Sequence, residues 1–213
     1  MKRTIVFGDV HGCIRELEDL VGLARPAAGD MLVSVGDIIG KGPESRAVLD
    51  WAIATPNLMG VLGNHELRFL ESWRRGETPR EKSYDEDTVR QLGPRFDLYM
   101  RWLERWPLTL EDKSKVIVHA GFDPRMPLAG QDPRILCNIR RLEDGTPWYE
   151  QYTLSRLVVF GHWVRRSVLL RDNAIGLDTG CVYGGRLSAL ILPELRVISV
   201  PARRAYVGRE AWA

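Results

Sequence analysis

Cysteine is scarce in the 213-residue chain: Cys13, Cys137 and Cys181 stand far apart and never form a Cys-x-x-Cys pair. That spacing excludes a disulfide framework and a zinc ribbon, and leaves open a single bridge or a reactive thiol. Long apolar runs are missing too. No stretch approaches the ~18 residues that a membrane span needs. The N-terminal run Ile5-Val6-Phe7 stops at Gly8 and Asp9, too soon for a secretory signal. Neither sign of charge dominates, since 30 Lys and Arg against 28 Asp and Glu leave a formal charge of +2. Nothing there requires nucleic acid or an anionic membrane as an obligatory partner. Lysine is rare, five against 25 arginines, a bias that suits phosphate recognition but equally a solvated surface. The expected setting is a soluble, reducing cytoplasm.

What is present can build a core: 45% of residues are hydrophobic and 27% charged, a globular composition, and the length suits one domain over 1–213. Ile5 to Phe7, Met31 to Val35 and Leu58 to Leu62 read as short buried strands. Each runs into a glycine and a polar residue, and each is followed by a helical pattern, first over 14–24, then 44–54, then through Leu67 and Leu70 to Trp73. That alternation predicts βαβ units and a parallel sheet, an α/β fold whose ligands bind beyond the carboxyl ends of the strands. Residues 74–90 hold 10 charged residues in 17, and the stretch 74–95 reads as a solvated insertion or a lid over the site. Residues 95–106 predict a helix with a thick apolar face. Val116 to Val118 and Leu157 to Phe160 are further strands; the connection from Pro124 to Pro147 has no clear pattern. Val168 to Leu170, Ala174 to Leu177, Arg186 to Leu192 and Arg196 to Val200 predict hairpins of a second sheet.

The four histidines, His11, His65, His119 and His162, all lie at the end of a predicted strand, three of them next to a Gly or an Asn and His119 two residues before Gly121. For any one of them a structural role is the stronger reading, but filler histidines would not follow strand ends so regularly. Asp9 and His11, two residues apart in an extended segment, point the same way and can grip one ion. With Asp37, Asn64, His119 and His162 they make a donor set of two carboxylates, an amide and three imidazoles. Without cysteine, that set disfavours structural zinc and suits Mn²⁺, Fe, Co²⁺ or catalytic Zn²⁺. Six donors exceed the needs of one catalytic ion. Two ions sharing a carboxylate fit, and such pairs activate a bridging hydroxide for in-line attack at phosphorus. His65, beside Asn64, is left as general acid for the departing oxygen. Lys41 and Arg140 are candidate phosphate-binding cations.

Gly8-Asp9-Val10-His11-Gly12, Gly36-Asp37, Gly63-Asn64-His65-Glu66, His119-Ala120-Gly121 and Gly161-His162 resemble, in order, the five blocks of the calcineurin-like metallophosphoesterases. They are most similar to the branch of phosphoprotein phosphatases and bacterial diadenosine tetraphosphatases. The resemblance spans residues 5 to about 200 and implies a four-layer sandwich, two mixed β-sheets flanked by helices. It further implies that Asp9, His11 and Asp37 hold the first ion and that Asp37, Asn64, His119 and His162 hold the second. Asp37 would bridge them, with His65 as general acid. Phosphoprotein phosphatases carry Asp-Arg-Gly where this chain has Gly40-Lys41-Gly42-Pro43, so the carboxylate that orients their catalytic histidine is missing at Gly40. The Lys-Gly-Pro variant and the run Gly176 to Leu187 resemble the ApaH-like phosphatases. Asn138-Ile139-Arg140 stands where relatives carry a phosphate-contacting arginine, with Arg141 as the competing register. Trp163 replaces a threonine common among relatives.

The expected activity is therefore two-metal hydrolysis of phosphoanhydrides: dinucleoside polyphosphates, nucleotide caps or polyphosphate. A protein Ser/Thr phosphatase is the alternative, with a phosphoprotein as partner, and a non-catalytic binding module of the same fold is the minor one. Mn²⁺ is the expected metal.

Overall fold

The computed structural model describes residues 2–208. In chain order the elements are β1 (Thr4–Phe7), α1 (Ile14–Ala24), β2 (Met31–Ser34), α2 (Ser45–Ile53), β3 (Leu58–Gly60), α3 (Asn64–Arg74), α4 (Asp85–Leu92) and α5 (Phe96–Leu103). The second half adds β4 (Thr109–Glu111), β5 (Lys115–Val118), α6 (Pro133–Asn138), β6 (Leu157–Phe160), β7 (Leu169–Leu170), β8 (Ala174–Gly176), β9 (Arg186–Leu192) and β10 (Arg196–Pro201). Two mixed five-stranded sheets result, ordered β10-β9-β1-β2-β3 and β4-β5-β6-β8-β7.

Strand alternation assigns each face its layer. Ile5, Phe7 and Leu32 turn outward onto the helices, joining Leu17, Leu20, Leu49, Phe69 and Leu103 in one core. Val6, Val33, Ile117, Val159, Ile175 and Leu190 turn inward and fill the space between the sheets. Val116, Val118, Val158 and Phe160 face outward from the second sheet under Trp148, Tyr149 and Tyr152. The stack is thus helices, sheet, sheet, and an outer layer of short helices and loops.

The parallel pairs β1–β2, β2–β3, β5–β6 and β6–β8 bring their carboxyl ends, and the loops beyond them, to one edge of the sandwich. That edge carries the chemistry.

Three expectations need correction. The hairpin β9–β10 belongs to the first sheet, not the second, because β9 pairs antiparallel with β1. Leu187, Ala189 and Ile191 pack on the helix side while Leu190 and Leu192 pack between the sheets. A strand apolar on both faces needs a central position; of the four strands expected to form hairpins in the second sheet, β7 and β8 do so. The helix over 95–106 is shorter, Phe96–Leu103, and β4 follows it unforeseen. Lastly, the charged stretch holds a helix, α4, with Asp85, Thr88 and Leu92 buried. Its anchor is an ion pair between Arg68 and Asp85, 2.8 Å long and almost fully enclosed. The three cysteines are free and buried, with Cys13 and Cys181 close together beside Glu16.

Candidate active site

Six loops leave the carboxyl ends of β1, β2, β3, β5, β6 and β8, and they deliver Asp9 and His11, Asp37, Asn64, His119, His162 and Asp178 to one place. The backbone there is strained. His11, Asp37, Lys41 and His162 all have left-handed φ, between 47° and 61°, a conformation that non-glycine residues hold only when their surroundings insist. Hydrogen bonds supply that insistence. The carbonyl of Asp37 accepts from the N–H groups of Val10 and His11 at 3.1 and 2.8 Å. The His162 N–H donates to the Asp9 carboxylate at 3.1 and 3.2 Å. Gly161 lets that approach happen, since a side chain on it would overlap Asp9 Oδ1.

Asp37 is the hub. Its Oδ2 lies 3.6 Å from Nε2 of His11, 3.5 Å from Nε2 of His119 and 3.8 Å from Nε2 of His65. It is shared by two groups of donor atoms close enough for an ion, one with His11 and His65, the other with His119 and His162. Asn64 Oδ1 completes the second group, 3.0 Å from His119 Nε2 and 2.9 Å from His162 Nδ1. Asp9 is in neither group; its carboxylate is next to Asp178 and Asp37, whose charges it feels.

The imidazoles are held in metal-ready form. Nδ1 of His11 faces the Ile39 carbonyl at 3.2 Å, and Nδ1 of His119 faces the Val35 carbonyl at 2.8 Å. A carbonyl can only accept, so each Nδ1 carries the proton and each Nε2 turns a lone pair toward Asp37. Burial keeps all four rings neutral: it pulls His119 down to about 4 and His11, His65 and His162 well below their ordinary value. The carboxylates move the other way. Burial, then repulsion from Asp178 and Asp37, raises Asp9, while burial pushes Asp37 up to about 6 and Asp178 also upward. Crowded buried carboxylates facing neutral imidazole lone pairs favour cations strongly, so the donor set fits divalent metal ions.

Around this centre the remaining expected residues take different places. Lys41 extends its Nζ to 3.1 Å from His11 Nε2 and lies over the Tyr183 ring at 5.4 Å. Arg140 is exposed, and its charge helps depress His162. Arg141 turns elsewhere, donating to the Gly145 carbonyl at 2.7 Å and stacking over Trp163 at 5.2 Å. Trp163 also carries Arg165, 4.5 Å from its ring. Beside Lys41 a cleft of about 380 Å³ opens, lined by Pro43, Asp87, Arg204 and Tyr206.

His65, in the first turn of α3, donates its backbone N–H to Asp37 Oδ1 at 3.0 Å. Its ring lies face to face with Tyr84, centroids 5.3 Å apart and planes 13° from parallel. Tyr84 was invisible as a site residue in the sequence, lost in a charged stretch. Asp178 was more accessible to inference, because it too follows a short apolar strand and precedes a glycine turn.

The family model for Calcineurin-like phosphoesterase matches residues 2–166. A symmetrical bis(5'-nucleosyl)-tetraphosphatase from Paraburkholderia phymatum is 30% identical, over 89% of this chain and 90% of the relative. One from Bordetella parapertussis is 31% identical, over 96% and 98%. A crystal structure of a candidate diadenosine tetraphosphatase superposes with a TM-score of 0.80 at 30% identity, covering 94% of both chains. With five loop blocks meeting around Asp37 and nearly the whole length matched, the chain belongs to the calcineurin-like phosphoesterases.

Proposed function

We propose that this chain hydrolyses phosphoanhydride bonds of dinucleoside polyphosphates, using two divalent ions, Mn²⁺ foremost. The observation that carries the reading is Asp37, whose carboxylate is common to two groups of metal-type donors. The relatives' substrate supports the anhydride class. Asp9, His11 and Asp37 would hold one ion, and Asp37, Asn64, His119 and His162 the other. When bound, such ions supply Lewis acidity toward the phosphoryl oxygens and a nucleophile at neutral pH.

The protein's own groups do the rest. Lys41 and Arg140 bind and orient the phosphate chain, Lys41 as a point charge and Arg140 as a fork. The polyphosphate then adds negative charge beside His65, which favours protonation of a ring that burial keeps neutral in the free site. From Nε2, the nitrogen facing the centre, His65 delivers a proton to the leaving phosphate oxygen, and Asp37 Oδ1 fixes the backbone under it.

A metal-supplemented comparison of diadenosine tetraphosphate with a phosphoserine peptide, products identified by chromatography, tests this. At least tenfold higher kcat/KM for the tetraphosphate is expected. Preference for the peptide would move the assignment to a protein phosphatase, and inactivity on both, with Mn²⁺, Co²⁺ and Zn²⁺ each supplied, to a binding module.

A further inference from the structure

A ring that delivers a proton has to be held in place, and His65 is not held by the usual means. Its Nδ1 is fully buried and has no hydrogen-bond partner among the described residues. Nor is there room for one at Gly40, because even a methyl group there would overlap Nδ1. One edge of the ring meets His11, with centroids 4.7 Å apart.

We propose that Tyr84 is the positioning residue for His65, holding the imidazole by its face. The two rings are nearly parallel, and the Tyr84 hydroxyl reaches 3.5 Å from His65 Nε2, the outer limit of a hydrogen bond. Tyr84 is itself clamped. Arg68 stands one turn after His65 on α3, with its guanidinium over the Tyr84 ring at 5.8 Å. The same guanidinium pairs with Asp85, through Nη2 at 2.8 Å and Nε at 3.2 Å. Asp85 also accepts the Lys82 N–H at 2.9 Å, and the Thr88 hydroxyl donates to the Tyr84 carbonyl at 3.0 Å. Farther along α4, Gln91 accepts from the Ser45 N–H at 2.7 Å and donates to the Gly42 carbonyl at 3.0 Å.

The charged stretch thus acts as a strut: α3 carries both the acid and the arginine that locks its aromatic support. A buried Arg–Asp pair is a costly way to gain stability alone, but it suits a side chain that must stay in register. The ring face confines the imidazole plane while Nε2 stays directed toward Asp37, 3.8 Å from its Oδ2. A carboxylate on Nδ1 would do the same by a different route and would also raise the proton affinity of the ring.

The inference rests on the acid role of His65, so the test has a branch independent of activity. Tyr84→Leu removes the ring and Tyr84→Phe keeps it; Tyr84 is half-buried just ahead of α4, and Tyr84→Gln is a second non-aromatic variant should Tyr84→Leu fail to fold. In metal-free protein, the His65 ring-proton resonances are shifted by the Tyr84 ring current. Tyr84→Phe is expected to keep that shift and Tyr84→Leu to lose it. With metal supplied, Tyr84→Leu is expected to lower kcat on diadenosine tetraphosphate about tenfold at unchanged KM. On p-nitrophenyl phosphate, whose leaving group needs no proton, it should stay within twofold, and Tyr84→Phe should match wild type on both.

Unmoved His65 resonances in Tyr84→Leu, equal losses on the two substrates, or a Tyr84→Phe as slow as Tyr84→Leu would each overturn the proposal. A wild-type protein that cleaves neither substrate would instead sink the hydrolase reading, with the resonance experiment still deciding the contact.

Discussion

Glu66 Oε2 accepts the backbone N–H of Asp37 at 2.7 Å, so one buried carboxylate fixes the loop that presents another. The same oxygen accepts the Gly63 N–H at 3.0 Å, while Oε1 accepts those of Ile38 and Ile39 at 2.9 and 3.1 Å. Four donors from two loops converge on one side chain in the first turn of α3. Burial and the charge of Asp37 push Glu66 up to about 7, and the N–H groups of Ile39 and Asp37 pull the other way. The left-handed φ of Asp37 is held by this clasp.

Glu66→Gln is therefore expected to be far from conservative. An amide presents one acceptor oxygen, and its NH₂ would face two N–H donors that cannot accept. Leaving buried donors unsatisfied costs about 1–3 kcal/mol each, so thermal unfolding should fall by roughly 5–15 °C for a chain of this size. Metal content should fall with it. A melting curve coincident with wild type would show that the loops do not depend on Glu66.

Gly40→Ala brings two penalties together. The residue has φ +84°, which a side chain resists, and its new methyl would overlap His65 Nδ1. The ring has to move off the Tyr84 face. The expected result is slow turnover of phosphoanhydride with most p-nitrophenyl phosphatase activity kept, measured at saturating Mn²⁺. Wild-type turnover of both substrates would mean that the position of His65 does not matter to the reaction.

Much of this geometry was legible in the sequence because it follows from short-range rules. A short apolar run that stops at a glycine or a polar residue says where a strand ends and what it delivers, so the loops bearing Asp9, Asp37, Asn64, His119 and His162 could be located one by one. What stayed hidden depends on long-range packing. Nothing local to Leu187–Leu192 says which sheet the strand joins; its pairing with β1, some 180 residues away in the chain, decides that. Residues 85–92 look like solvated surface until Asp85 is seen to neutralise Arg68 from another helix. Gly40 announced a missing partner for His65, but not that an aromatic face would lie in its place.

Arg140 and Arg141 are adjacent, and the structure gives them unlike surroundings. Arg141 is already engaged with the Gly145 carbonyl and the Trp163 ring, whereas the charge of Arg140 is felt at His162. Arg140→Ala is expected to raise KM for diadenosine tetraphosphate about tenfold, in line with loss of one charge-assisted contact. Arg141→Ala should stay within about twofold, because its contacts are internal. Steady-state kinetics on the two variants decide the matter, and the reverse ranking would place the phosphate chain over Trp163.

Asp30 offers a prediction about stability at the end of the sandwich away from the site, since it precedes β2 where the catalytic loops follow strands. Its carboxylate accepts from the Arg3 backbone N–H at 2.9 Å, from Arg3 Nε at 2.8 Å, and from the Ala27 N–H at 2.8 Å. The Arg3 side chain first, then these backbone donors, hold Asp30 at about 2 against an ordinary 3.8. A carboxyl whose folded value is depressed stabilises the fold when ionised in both states, and the benefit is lost as pH falls through the folded value. Asp30→Asn should therefore unfold more easily than wild type at neutral pH. The gap between them should stay constant down to about pH 5, then shrink as pH falls toward 2. Urea titrations at pH 7, 4 and 2.5 measure that gap directly, and a gap that does not change with pH would show that the Arg3–Asp30 pairing contributes nothing through its charge.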